Sequence, residues 1–315
     1  MTITLLILYI VTPILTVINL TLTVGLCWSH WNAAQEPETR NHVLLILCMV
    51  PLYGLMAALC VVWPQHYLYF ELVRQSYEAL VLWRFFQLLL HYLRRHSHQV
   101  LGAIDASFAH NQKCLINHDY ANELTEKTFL ALESQSLLWC CQINPSLGLF
   151  KLLRYAVLQY CTLRLVLPPI QVTLYLLGLY SNRQPEGGYL WITLLCTISL
   201  SITLFALWLL IRLTRPVIWR YGPTTKLLAI KLVIFFIFWQ SVLFSVATYF
   251  EAIPLIAPGW SPELTTEVLH SALICFELAW LALYHYWIFA SDEHQMTSII
   301  SLQAISYNDL HTSTS

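Results

Sequence analysis

The sequence predicts an all-α integral membrane protein, a bundle of seven transmembrane helices with its N-terminus outside and its C-terminus cytoplasmic. Three observations carry that expectation. Of the 315 residues, 58% are hydrophobic and only 10% are charged, whereas a soluble globular chain carries about 25% charged residues. Seven apolar stretches reach the roughly 20 residues that a helix needs to cross a bilayer core. The lysines and arginines between those stretches fall almost entirely on one side.

The spans lie near 3–28, 42–63, 67–93, 151–180, 189–213, 226–250 and 265–290. None shows the two-residue alternation of a membrane β-strand, so they are predicted as helices. The opening "MTITLLILYIVTPILTV" lacks the basic segment and cleavage site of a signal peptide and is expected to stay as the first span. Its Asn19-Leu20-Thr21 glycosylation sequon would then be unused. Prolines 13, 51, 168 and 169 are compatible with spans, because membrane helices keep their other backbone bonds internal. Residues 1–291 thus form one membrane domain, with 94–150 as its long polar loop. Residues 292–315 are expected as a disordered cytoplasmic tail.

Orientation follows from the cations in the connections. With the N-terminus outside, the inner connections hold Arg40, then Arg94, Arg95, Lys113, Lys127, Lys151 and Arg154, then Arg212, Arg215, Arg220 and Lys226. The outer connections hold Arg183 alone. That split, 11 against 1, places the loop 94–150 in the cytoplasm.

Several chemistries find no support. The formal net charge of −1 gives no hint of nucleic-acid binding, and no glycine-rich phosphate loop is present. The nine cysteines contain no CxxC spacing, so neither a zinc ribbon nor a thioredoxin-like site is indicated. His96, His98, His110 and His118 in the loop match no metal-ligand spacing, and His91, His270 and His285 in the spans lack an H-x-x-x-H pair. No Ser-His-Asp or Cys-His arrangement is evident. The chain is expected to be neither an enzyme nor a cofactor or metal protein. Cys140 and Cys141, before the basic helix start at Lys151 and Arg154, are juxtamembrane candidates for palmitoylation.

The polar residues inside the spans carry the functional question, since a charge at a helix centre costs roughly 2.5–3.5 kcal/mol on insertion scales. At about 1.5 Å per residue, Gln240 lies roughly 21 Å from Lys226, Arg164 roughly 20 Å from Lys151, Glu277 roughly 20 Å from Ala290 and Glu78 roughly 22 Å from Leu93. Four polar residues from four helices are therefore predicted to share one layer near mid-bilayer. One reading is a closed network, Arg164 with Glu78 or Glu277, capped by Gln240. The other is a hydrated cavity in which Arg164, with its planar fork, grips an anionic substrate end. Arg74 and Glu78, spaced i,i+4, are expected to pair. Lys231 is shallow enough to snorkel. Tyr77, Tyr284 and His285 offer a polar edge, with His285 alternatively an inner gate or lipid contact.

Four segments also share a pattern: "RQSYEALVLWRFFQLLLHYL", "CCQINPSLGLFKLLRYAVLQYCTLR", "KLLAIKLVIFFIFWQ" and "CFELAWLALYHYWIFAS". In this order they resemble the organic solute transporter alpha-subunit family, including its transmembrane protein 184 branch, over roughly residues 66–291. Departures are Arg84 where asparagine is usual, Leu165 where proline commonly follows the arginine, "HYLRRH" at the end of the third span, and Tyr286 in place of a second histidine. The resemblance implies a seven-helix carrier moving amphipathic, anionic solutes such as steroid or bile-acid conjugates down their gradient. It also implies membrane lipid and a single-span beta-subunit, or a second copy, as partners in the plasma membrane or an endomembrane. Arg164, Glu78, Gln240 and Glu277 are the predicted binding residues, with Arg74, Tyr77, Gln159, Lys231 and His285 in support. A seven-span receptor or trafficking scaffold without transport is the alternative, although "LRRHSHQ" after the third span is not the triplet of rhodopsin-type receptors.

Overall fold

The computed structural model describes residues 3–32, 36–95, 145–177 and 189–312. These form eight α-helices: α1 Ile3–Asn32, α2 Pro37–Leu47, α3 Met49–Val62, α4 Tyr67–Arg95, α5 Pro145–Leu176, α6 Tyr189–Ile218, α7 Pro223–Tyr249 and α8 Pro262–Thr312. Single 3-10 turns, Pro64–His66 and Trp219–Tyr221, lead into α4 and α7. Before α7, Gly222 takes the left-handed conformation (φ 55°), and its carbonyl accepts from the Thr225 and Lys226 amides. Without a Cβ, glycine adopts that turn at no steric cost.

Each predicted span falls on a helix, with one modification. The second is broken at Cys48 into α2 and α3, although together they still form one stretch of spanning length, Pro37–Val62. Pro51 explains the break, because it has no amide to give the Leu47 carbonyl and its ring crowds the preceding turn. Five stretches are long and apolar enough to cross a membrane among the described residues: Ile3–Asn32, Pro37–Val62, Trp191–Arg215, Pro223–Tyr249 and Pro262–Phe289. The third and fourth predicted spans, α4 and α5, have 29 and 32 residues, enough length, but their polar residues hold them below that apolarity. One expectation changes. Residues 292–312, read from sequence as a disordered tail, continue α8. Nothing in "SDEHQMTSIISLQAISYNDLHT" breaks a helix, since it contains neither proline nor glycine. The four loop histidines, with Cys140 and Cys141, lie outside the described residues.

The helices close a ring in chain order. α1 packs on α3, α3 on α4, α4 on α5, α5 on α6, α6 on α7, α7 on α8, and α8 returns to α1. α8 also packs along α3, while α4 reaches α6 and α7 across the ring. Asn19 marks a close approach of α1 to α3. Buried in α1, it donates to the Val50 carbonyl at 3.1 Å, and a Cβ on Gly54 would come within 2.6 Å of its amide nitrogen. Glycine is what lets α1 and α3 meet there. Glycosylation at Asn19 is excluded by the same burial. The outward faces carry large apolar side chains in quantity, including Ile7, Val17, Phe205, Trp239, Trp280 and Trp287. So broad an apolar exterior needs a nonaqueous solvent.

Candidate functional site: a polar cavity between α4, α5, α6 and α7

The cavity, of about 110 Å³, lies beside the N-terminal half of α4 and is closed by α5, α6 and α7, with Tyr53 of α3 and His270 of α8 at its edges. α4 supplies Glu71, Arg74, Gln75 and Glu78, and α5 supplies Arg164 and Gln171. The rest of the wall is largely apolar, with Leu72, Val172, Ile192, Leu200, Ile237 and Phe238. A volume of this size admits several waters or the head group of a small anion.

Arg164 and Glu78 are brought together, as one of the two sequence readings expected. Arg164 Nη2 stands 3.2 Å from Glu78 Oε2. Tyr160, absent from the sequence reading, completes the group. Its hydroxyl accepts from Arg164 Nε at 2.9 Å and donates to Glu78 Oε1, and the guanidinium lies over its ring at 5.6 Å from the centroid. Tyr160 is fully buried. Both carboxylate oxygens and two guanidinium nitrogens are thus engaged, and the pair is neutral and well satisfied. The signal for Tyr160 was available, because it sits four residues before Arg164 and so on the same helix face.

The four-residue layer is two pairs rather than one network. Gln240 and Glu277 stand beside each other across α7 and α8, with Gln240 Oε1 and Glu277 Oε2 enclosed without a hydrogen-bond partner among the described residues. Neither lines the cavity. The physical reason is that α8 packs against α7, α1 and α3, which turns Glu277 toward Gln240 and away from α5. Equal depth along an axis does not fix which face a residue presents.

Arg74 also departs from expectation. Glu78 turns across the bundle to Arg164, and among the described residues Arg74 has no ion-pair partner. Its side chain is buried at 9% exposure, it lines the cavity, and its Nη1 is enclosed without a hydrogen-bond acceptor. Its backbone is held by Tyr53, whose hydroxyl donates to the Arg74 carbonyl at 3.0 Å.

The supporting residues divide. Tyr77 faces away from the cavity and donates to the Leu45 carbonyl at 2.8 Å, next to the break between α2 and α3. Gln159 and Lys231 are exposed on the outer face, the latter as a snorkelling lysine requires. His285 is buried at 2% exposure, edge-on to Phe289, so it makes no lipid contact. Pro168 and Pro169 leave α5 unbroken, and Pro168 lines the cavity above Arg164.

The fold and these buried charged groups define a multi-pass helical membrane protein with a polar pocket inside an apolar bundle. The family model described as the organic solute transporter Ostalpha matches residues 8–294, and the chain belongs to that family, a family of membrane solute transporters. It is also 27% identical over 273 residues to a transmembrane protein 184 homolog of Dictyostelium discoideum, covering 82% of this chain and 48% of that relative. The chain therefore spans about half the length of this curated relative. No solved structure matches it.

Proposed function

We propose that the chain is a carrier, or the membrane-embedded part of one, for amphipathic organic solutes with an anionic end, of steroid or bile-acid type. Movement is downhill, by facilitated diffusion. The observation that supports this most is the cavity, in which the Arg74 guanidinium and the Arg164–Glu78 pair share a space with an aliphatic and aromatic wall. A charged head satisfies the first and an apolar body the second. That combination occurs here in a member of a solute-transporter family. The seven-span topology with an outside N-terminus belongs to the same proposal, supported by the distribution of cations between the connections. A single-span subunit or a second copy is the proposed partner in the assembly.

The test is uptake of tritiated estrone sulfate into cells expressing the full chain, normalised to surface protein and compared with the neutral parent estrone. Uptake above mock-transfected cells, saturable and dependent on the gradient alone, is expected. Uptake equal to that of mock cells at verified surface expression overturns the carrier reading.

A further inference from the structure

We propose that Arg74, and not Arg164, receives the anionic end of the solute, a sulfate, sulfonate or carboxylate seated in the cavity between α4, α5, α6 and α7. The inference rests on the carrier reading for the class of solute, but it is a statement about binding and stands or falls separately from movement.

The two cavity arginines differ in what they have left to offer. Arg164 is spent: Nη2 and Nε go to Glu78 and Tyr160, and its positive charge is cancelled by the carboxylate. An anion arriving there meets a neutral pair and must compete with Glu78. Arg74 has no ion pair of its own among the described residues. It is nine-tenths buried, and its Nη1 is enclosed with no acceptor. A buried cation without a counterion is a strongly unfavourable arrangement unless something in the cavity supplies the negative charge.

The two acids that flank it on α4 are turned to other partners. Glu78, one turn along α4, is held across the bundle by Arg164 and Tyr160. Glu71, one turn the other way, is only half-buried and accepts from Gln75 Nε2 at 3.0 Å. A guanidinium with a free edge prefers a planar or tetrahedral oxyanion that accepts two parallel hydrogen bonds. The apolar part of the lining, Leu72, Val172, Ile192 and Ile237, receives an apolar body attached to that anion. Arg74 is also fixed in place, since Tyr53 anchors its carbonyl and so sets the rotation of this turn of α4. The site is built in advance, and the anion completes it.

Binding of tritiated estrone sulfate and of neutral estrone to the purified full-length chain in lipid nanodiscs separates the outcomes. In Arg74→Gln the affinity for the sulfate is expected to fall roughly tenfold or more, while estrone binding stays within about twofold, which also reports a folded protein. Arg74→Lys should recover part of the sulfate affinity, because it restores charge without the fork. The double variant Arg164→Gln/Glu78→Gln, which removes a neutral pair, should leave sulfate affinity within about threefold of the parent. Equal sulfate affinity in Arg74→Gln and the parent overturns the inference, as does loss of sulfate binding in the double variant with Arg74 intact. A parent chain that does not distinguish sulfate from estrone also overturns it, and the cavity then holds water only. Sulfate binding that depends on Arg74, without uptake in cells, defeats the carrier reading and leaves this one standing. Uptake that is indifferent to Arg74 does the reverse.

Discussion

The two halves of α4 belong to one unbroken helix and have opposite fates. From Leu82 to Leu93 the inward side chains Leu82, Phe85, Phe86, Leu88, Leu89 and Leu93 are all sealed, each at 0% exposure. From Leu68 to Glu78 the same helix lines a cavity and presents Glu71, Arg74, Gln75 and Glu78. Helix propensity does not separate the halves. The difference lies in what each can do with close approach. Leucine and phenylalanine interdigitate with α5 and its neighbours to native density, gaining dispersion at every contact. Arginine and glutamate cannot be buried that way unless their charges are matched, so the neighbouring helices stand off and space remains. The cavity exists where polar residues prevent the packing achieved a few turns further along.

The largest effect is expected where that half holds a matched charge. Arg164→Ala strands Glu78 inside the bundle and should lower stability by about 3–5 kcal/mol. The measurement is the thermal midpoint of purified protein by fluorescence-detected gel filtration, together with surface yield. Adding Glu78→Gln should restore most of the loss. If the double variant is no better than the single one, the Arg164–Glu78–Tyr160 group is not the coupled unit described here.

In the sealed half, Phe85→Ala should lose about 3–5 kcal/mol by opening a cavity among α4 and its neighbours. Leu72→Ala, in the wall of an existing space, should lose less than half as much in the same assay. Similar losses at the two positions would erase the contrast between the halves. Gly54→Val tests the close approach of α1 and α3 elsewhere in the ring. Its added atoms meet the Asn19 amide, so α1 and α3 must separate, and a loss of about 1–3 kcal/mol is expected. Gly54→Val combined with Asn19→Ala should recover part of it.

Tyr77→Phe removes only the bond to the Leu45 carbonyl and should cost about 1 kcal/mol. Lys231→Ala should change stability by no more than about 0.5 kcal/mol and leave estrone sulfate uptake unchanged, since that side chain lies on the outer face. A marked loss of uptake in Lys231→Ala would mean the exposed face of α7 takes part in the solute's path.

Much of the fold was legible in the residues, and for a plain reason. In hydrocarbon a backbone must satisfy its own hydrogen bonds, so each long apolar run can be little other than a helix. That constraint placed a helix on each of the seven apolar runs, from Ile3 to the α8 segment, without knowledge of their neighbours. Pro51 was expected to be tolerated within one continuous span, and the break at Cys48 is what the structure adds. The extension of α8 past residue 291 was missed because polar composition was read as disorder, although "SDEHQMTSIISLQAISYNDLHT" holds no helix breaker.

The polar residues were legible in kind, but not in partnership. The sequence by itself determined that Glu78, Arg164, Gln240 and Glu277 sit on helices, because each lies within a long apolar run. It also gave the expectation that buried charges pair, because hydrocarbon stabilises a lone charge poorly. Which partner it finds depends on the rotation of each helix about its axis and on which helix stands beside it. Side-chain packing between segments far apart in the chain sets both. Only the tertiary structure therefore decided that Glu78 turns to Arg164 and Tyr160, that Gln240 and Glu277 meet outside the cavity, and that Arg74 is left inside it with Nη1 lacking an acceptor.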